Sequence, residues 1–202
     1  MDWKKLADKQ TVEKVMDALA KRNIDPLFVQ TGEEAKEKTL SMIPQGKRVL
    51  TSASITAETI GLKDEIDKGD KFVSVRDEYM TLDREKDADQ IRKLRSTPDV
   101  IIGSVQAVTL DGQVLIASNT GSQIGAYAYS APKVIWIVGT QKIVKDLDEA
   151  YKRLSDYVVP LEDEHMKGLG APGTNVSKVL IFDEERTKGR VTLIFVNEAL
   201  GF

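Results

Sequence analysis

The chain has 202 residues, 41% hydrophobic and 30% charged, which suits one α/β domain with a well-buried core and does not suit a disordered or fibrous protein. A net charge of −3, with no cluster of Lys and Arg, excludes electrostatic capture of nucleic acid. The absence of cysteine and the single histidine, His165, exclude disulfides, thiolate-held zinc or iron–sulfur centres, a thiol nucleophile and any His-rich metal site.

The opening "MDWKKLADKQ" has no apolar h-region, and no apolar run nears the ~20 residues that span a bilayer, so a cytoplasmic protein without a membrane partner is expected. From residue 3 to about 22, Leu6, Val12, Val15, Met16 and Leu19 recur at helical spacing. "DPLFVQTG" (25–32) predicts a short strand, and "EEAKEKTLSMIPQG" (33–46) a second helix closed by Pro44 and Gly46. "KRVLT" (47–51) is a strand, and "SASITAETIGLKDEIDKG" turns from it into a third helix ending at Gly69. "KFVSV" is a strand, Asp77 and Glu78 read as the loop after it, and "TLDREKDADQIRKLRST" as a charged, mostly solvated helix.

After Pro98 the texture changes. "DVIIGSV", "AVTL", "QVLIAS", "KVIWIVG", "KVLIF" and "RVTLIFV" are all rich in Val and Ile. Asp111-Gly112 marks a hairpin between "AVTL" and "QVLIAS", "VKDLDEAYKRLSDYV" is a helix, and 160–177, which holds His165, reads as irregular. Strands alternating with helices predict one α/β domain over residues 1–202, a three-layer α/β/α sandwich. Its sheet should be mostly parallel, made mixed by the hairpin.

Three strand ends carry small polar residues. Ser52, Ser54 and Thr56 lead from a strand into a helix, where hydroxyls and free N–H groups suit an anion, although a hydroxyl there also serves as a helix cap. In "SNTGSQIGA", Asn119, Thr120, Gly121, Ser122 and Gln123 follow a strong strand. Asn119 and Gly121 can both take positive φ, which fits a concave anion-holding turn or an ordinary surface turn. In "VGTQKIV", Gly139 and Lys142 follow a third strand, and Lys142 supplies the only obvious positive charge. Together they place a small-anion pocket where the carboxyl ends of "KRVLT", "QVLIAS" and "KVIWIVG" meet, with no cofactor or metal evident.

The order of these loops resembles the LUD domain family, the LutC/YkgG-like lactate-utilisation proteins. The resemblance is carried by "GSVQAVTLDGQVLIASNTGSQIGA" and "KVIWIVGTQKIVKDLDEA", with "TSASITAETIGL" at the family's glycine–x–serine–x–threonine loop and "RVTLIFVNEALGF" as its closing strand. It covers residues 10 to 202 and implies a fold like ribose-5-phosphate isomerase, glucosamine-6-phosphate deaminase and the CoA transferases. It also implies a role in oxidising L-lactate to pyruvate with partner subunits, and it sets the same ten residues around one site. The chain departs from the family pattern in three places. Gly121-Ser122-Gln123 stands for glycine–asparagine–arginine, so an arginine that would pair a carboxylate is missing. Gly139-Thr140-Gln141-Lys142 stands for glycine–x–asparagine–lysine, and the cysteine cluster many members carry is absent. An enzyme acting on a sugar phosphate or acyl-CoA, and a non-catalytic accessory subunit, are the alternative expectations.

Overall fold

The computed structural model describes residues 1–202. Six strands form a wholly parallel sheet: β1 (Ile24–Val29), β2 (Arg48–Thr51), β3 (Val73–Ser74), β4 (Val100–Gly103), β7 (Lys133–Gly139) and β10 (Val191–Val196), in the order β1-β10-β7-β4-β2-β3. The continuous apolar runs of β4, β7 and β10 are buried on both faces, as a covered parallel sheet requires. Successive residues feed opposite sides. Ile101, Val134, Trp136, Leu193 and Phe195 enter one apolar cluster, whereas Ile102, Ile135, Ile137, Ile194 and Val196 enter another.

The second cluster is closed by α2 (Gly32–Ser41), Ile60 and α4 (Leu62–Asp67). The first is closed by Val12, Val15 and Leu19 of α1 (Lys9–Lys21) and by a second sheet. That sheet holds β5 (Ala107–Thr109), β6 (Val114–Ser118), β8 (Ile143–Val144) and β9 (Lys178–Phe182), in the order β8-β5-β6-β9. Its pairs β5–β6 and β6–β9 are antiparallel and β5–β8 is parallel. The α/β fold with a mostly parallel sheet flanked by helices is therefore as expected. The hairpin at Asp111-Gly112 forms with Gly112 at φ +83°, but it lies in the smaller sheet and leaves the main one purely parallel. The outer face of the smaller sheet carries α7 (Leu147–Arg153), a π turn over Leu154–Val158 and α8 (Val159–Gly168), through Ala150, Leu154 and Val158.

Local chemistry explains where elements start and stop. Asp8 accepts from Thr11 N and starts α1 at Lys9 rather than at residue 3. Gly61, at φ +70°, breaks the expected third helix into α3 (Ile55–Thr59) and α4. The charged helix is shorter than its sequence pattern, α6 (Ala88–Ser96). Two readings are corrected. Asp77 and Glu78 are not a loop but the first turn of α5 (Val75–Met80), capped by Ser74, and Glu78 forks onto Arg48 at 2.7 and 2.8 Å. Residues 160–168 are helical, α8 running on without a break from the π turn at Leu154–Val158, whose irregular step directly precedes Pro160. His165 is therefore a helix residue, with its ring edge-on to Phe202 at 6.2 Å.

Candidate functional site

Strands β7, β4 and β2 are neighbours, so their carboxyl ends share one edge of the sheet. After β7 the chain makes a single 3-10 turn, Thr140–Lys142, that turns Lys142 inward until it is only 3% exposed. Its Nζ donates to Ser104 Oγ at 3.1 Å, just past β4, and to Thr56 Oγ1 at 3.3 Å, past β2. No carboxylate pairs with it. Burial, and then the nearby charge of Arg153, push its pKa down to about 7.

Backbone groups pack closely around this lysine. Thr56 Oγ1 donates to Leu200 O at 3.2 Å, and Gln141 Nε2 donates to the same oxygen at 2.9 Å. A Cβ at Gly139 would lie 2.9 Å from Leu200 N and would overlap Gln141 Oε1, so glycine is what lets the segment after β10 approach β7. Gly201, at φ +63°, crosses above Thr56 and Lys142, and a Cβ there would stand 3.5 Å from Lys142 Nζ. Gln141 Oε1 and Thr140 Oγ1 are buried without a hydrogen-bond partner.

Ser52 follows β2, two strand ends from the lysine with β4 between them. Its Oγ is 2.9 Å from the Tyr127 hydroxyl, above Gly103, where any Cβ would overlap both oxygens. Burial raises the Tyr127 pKa and keeps the phenol neutral. Ser54 is a helix cap, its Oγ accepting from Ala57 N at 3.3 Å.

The loop at Asn119–Gln123 follows β6, and β6 belongs to the smaller sheet, so its strand end does not meet those of β2 and β7. Ser104, after β4, takes the position expected of it. Gly121 has φ +79°, but Asn119 does not take positive φ. Ser118 Oγ accepts from Gly121 N at 2.9 Å and donates to Gln123 Oε1 at 3.0 Å. Thr120 Oγ1 accepts from Ser122 N at 3.3 Å, Asn119 donates to Asn175, and Ser122 Oγ accepts from Arg95 Nη2 at 2.7 Å. The loop touches the other group only indirectly, since Gln123 O accepts from Tyr127 N at 3.0 Å. Of the ten expected residues, Thr56, Gly139 and Lys142 form one group, Ser52 adjoins it, and residues 119–123 form a second group.

Sequence reasoning missed Ser104, Tyr127 and Arg153. Ser104 carried a legible signal, a Gly-Ser directly after "DVII", hidden by reading the strand through to Val105. Of two open clefts, one of about 510 Å³ is lined by Lys14, Lys21, Arg22 and Asp111, and one of about 430 Å³ lies between Met1–Thr11 and Gln141–Lys145 and so adjoins the Lys142 group through Gln141. The first is a mixed-charge surface groove beside the amino-terminal end of β1, at the opposite end of that strand from its carboxyl end.

No curated protein matches the chain at a significant level. Among solved structures, a DUF162 family protein from Deinococcus radiodurans overlays with a TM-score of 0.57 at 11% identity, covering 95% of this chain and 99% of that one. A ribose 5-phosphate isomerase A from Neisseria gonorrhoeae overlays at 0.40 with 16% identity, over 85% and 94% of the two chains. eIF2B beta from Chaetomium thermophilum overlays at 0.41 with 14% identity, over 68% and 48%. The first similarity is one of fold, and the lower two scores add nothing to it. Residues 12–195 match the LUD domain, nearly the whole chain, and the protein belongs to the LUD domain family.

Proposed function

We propose that the protein binds a small anionic metabolite at the carboxyl ends of β2, β4 and β7, with Lys142 as its principal charge. Family membership directs the choice of ligand to lactate or pyruvate, and the role to oxidation of L-lactate to pyruvate alongside partner subunits that carry the redox cofactor. The observation that carries this reading is Lys142 itself: a cation 3% exposed, held only by the neutral hydroxyls of Ser104 and Thr56. Burying an ammonium without a counter-charge costs several kcal/mol, and an incoming anion offsets that cost. The same lysine is available as a proton carrier near neutral pH, since its pKa lies at about 7.

Thermal unfolding of the full chain in the presence of L-lactate, pyruvate, sugar phosphates and acyl-CoA compounds tests the reading. A ligand at 100 times its dissociation constant stabilises the fold by about 2.7 kcal/mol. Lys142→Ala should weaken binding about 10- to 150-fold, the loss of one charged hydrogen bond, while Lys152→Ala on the exposed side of α7 should leave it unchanged. Unaltered binding by Lys142→Ala would remove the site. A flat screen across all four ligand classes would favour an accessory subunit that retains the fold without the ligand.

A further inference from the structure

Two arginines are almost wholly buried in this chain, and they are treated in opposite ways. Arg190 is satisfied: it pairs with Glu185 and donates to Ala131 O at 2.9 Å, Ala126 O at 3.1 Å and Tyr127 O at 2.7 Å. Arg153, at the end of α7, has 0% exposure and makes one hydrogen bond, from Nη1 to Gln106 O at 2.6 Å. It has no carboxylate partner, and its plane lies 5.3 Å from the Tyr157 ring centre. Its Nε and Nη2 are buried with nothing to donate to. Those two nitrogens make up one edge of the guanidinium, the side-on fork that matches a pair of oxyanion oxygens.

The two cations are anchored close together along the chain. Lys142 is held on Ser104 Oγ and Arg153 on Gln106 O, two residues further along the same segment, so the Cα atoms of the two anchors are at most about 7 Å apart. Arg153 is also the charge that acts on Lys142. Two cations buried on neighbouring anchors, both without carboxylates, are costly unless something anionic joins them.

We propose that Arg153 and Lys142 hold one oxyanion between them, Arg153 gripping it through its Nε–Nη2 edge. The carboxylate of a 2-hydroxy or 2-oxo acid and the phosphate of a small metabolite share this chemistry. The inference rests on the pocket reading above and adds the group that reads the anion's shape. Gly201 lies over Lys142, and Phe202 packs against the apolar cluster that holds Ala150 and Leu154 on either side of Arg153 in sequence.

The test is thermal unfolding and isothermal titration of the full chain with sodium pyruvate, sodium L-lactate and inorganic phosphate. Wild type, Arg153→Met, Arg153→Lys and Lys142→Met are compared. Wild type should be stabilised by at least one of the three anions. A response to pyruvate or lactate alone marks a carboxylate site, and one to phosphate alone marks a phosphate site. Arg153→Met should melt at or above the wild-type temperature without anion, because it removes an unpaired buried charge, yet bind the anion about 10- to 150-fold more weakly. Should Arg153→Met fold poorly, Arg153→Lys decides: it keeps the charge and lacks the fork, so the same weakening is expected. Normal anion affinity in whichever of these two variants folds well would overturn the role of Arg153. If Lys142→Met alone loses binding, the pocket stands and this inference fails. If wild type responds to none of the three anions, both fail.

Discussion

At the scale of single residues, the pocket is recognised by groups that lack what buried groups normally have. Lys142 lacks a carboxylate, and this has a sign that unfolding experiments can read. Its pKa is about 7 in the folded chain against about 10.4 in an unfolded one, so between those values the unfolded state binds more protons. The lysine therefore destabilises the fold fully below pH 7, and the penalty is relieved as pH rises toward 10. Lys142→Met should stabilise the protein, by more at pH 6.5 than at pH 9.5, in urea unfolding at the two pH values. An equal effect at both would show that the amine titrates normally. A second residue-scale prediction concerns Gly103, whose missing Cβ leaves room for the Ser52–Tyr127 hydrogen bond. Gly103→Ala should destabilise by roughly 1–3 kcal/mol through overpacking, and by less in a Tyr127→Phe background, where one of the two clashing oxygens is gone. Additive losses in that double-mutant cycle would argue against the close approach.

At the scale of elements, regular strands were legible in the sequence and irregular helices were not. "VIWIVG" and "TLIFV" can satisfy long apolar runs only between two covered faces, and they became β7 and β10. Hydrophobic period says nothing about which sheet a strand joins, so β6 was read into the main sheet although it pairs with β5 and β9. The π turn Ala126–Ser130, which delivers Tyr127 to Ser52, has no sequence signal of its own. It is held from outside, by Arg190 of the distant "GRVTLIFV" segment donating to the carbonyls of Ala126 and Tyr127. Arg190→Met should accordingly cost about 3–5 kcal/mol, since it strands the buried Glu185 carboxylate as well as those carbonyls. Chemical denaturation of Arg190→Met beside Arg153→Met gives the contrast: a large loss in the first, none in the second. Similar losses in both would mean that Arg153 also serves the fold, and anion binding by Arg153→Lys then decides its role toward a ligand.

At the scale of the molecule, residues 56, 104 and 142 and the backbone at 200–201 are brought to one edge by the parallel order β10-β7-β4-β2, whereas Arg153, the proposed fourth member, comes from α7 on the smaller sheet. The sequence disclosed the small polar residues after each strand, and not the adjacency that selects among them. Arg153 could not be chosen because a helix residue in "EAYKRLSDY" looks solvated until the smaller sheet is seen to bury it. The proposed anion site carries a prediction in which binding is coupled to protonation. In the free protein at pH 8 most Lys142 amines are neutral, because the pKa is about 7. A bound anion next to the amine favours its charged form, so each binding event at pH 8 should take up about 0.9 proton if the bound pKa lies well above 8. Affinity should be nearly constant below pH 7 and fall about tenfold per pH unit above it, until the bound amine itself deprotonates. Calorimetric titration of the stabilising anion at pH 8 in HEPES and in Tris measures this directly, since the proton comes from buffers of different ionisation enthalpy. A buffer-dependent binding enthalpy in wild type that vanishes in Lys142→Met is the expected result, and a buffer-independent enthalpy in wild type would show that Lys142 is not the group the anion meets.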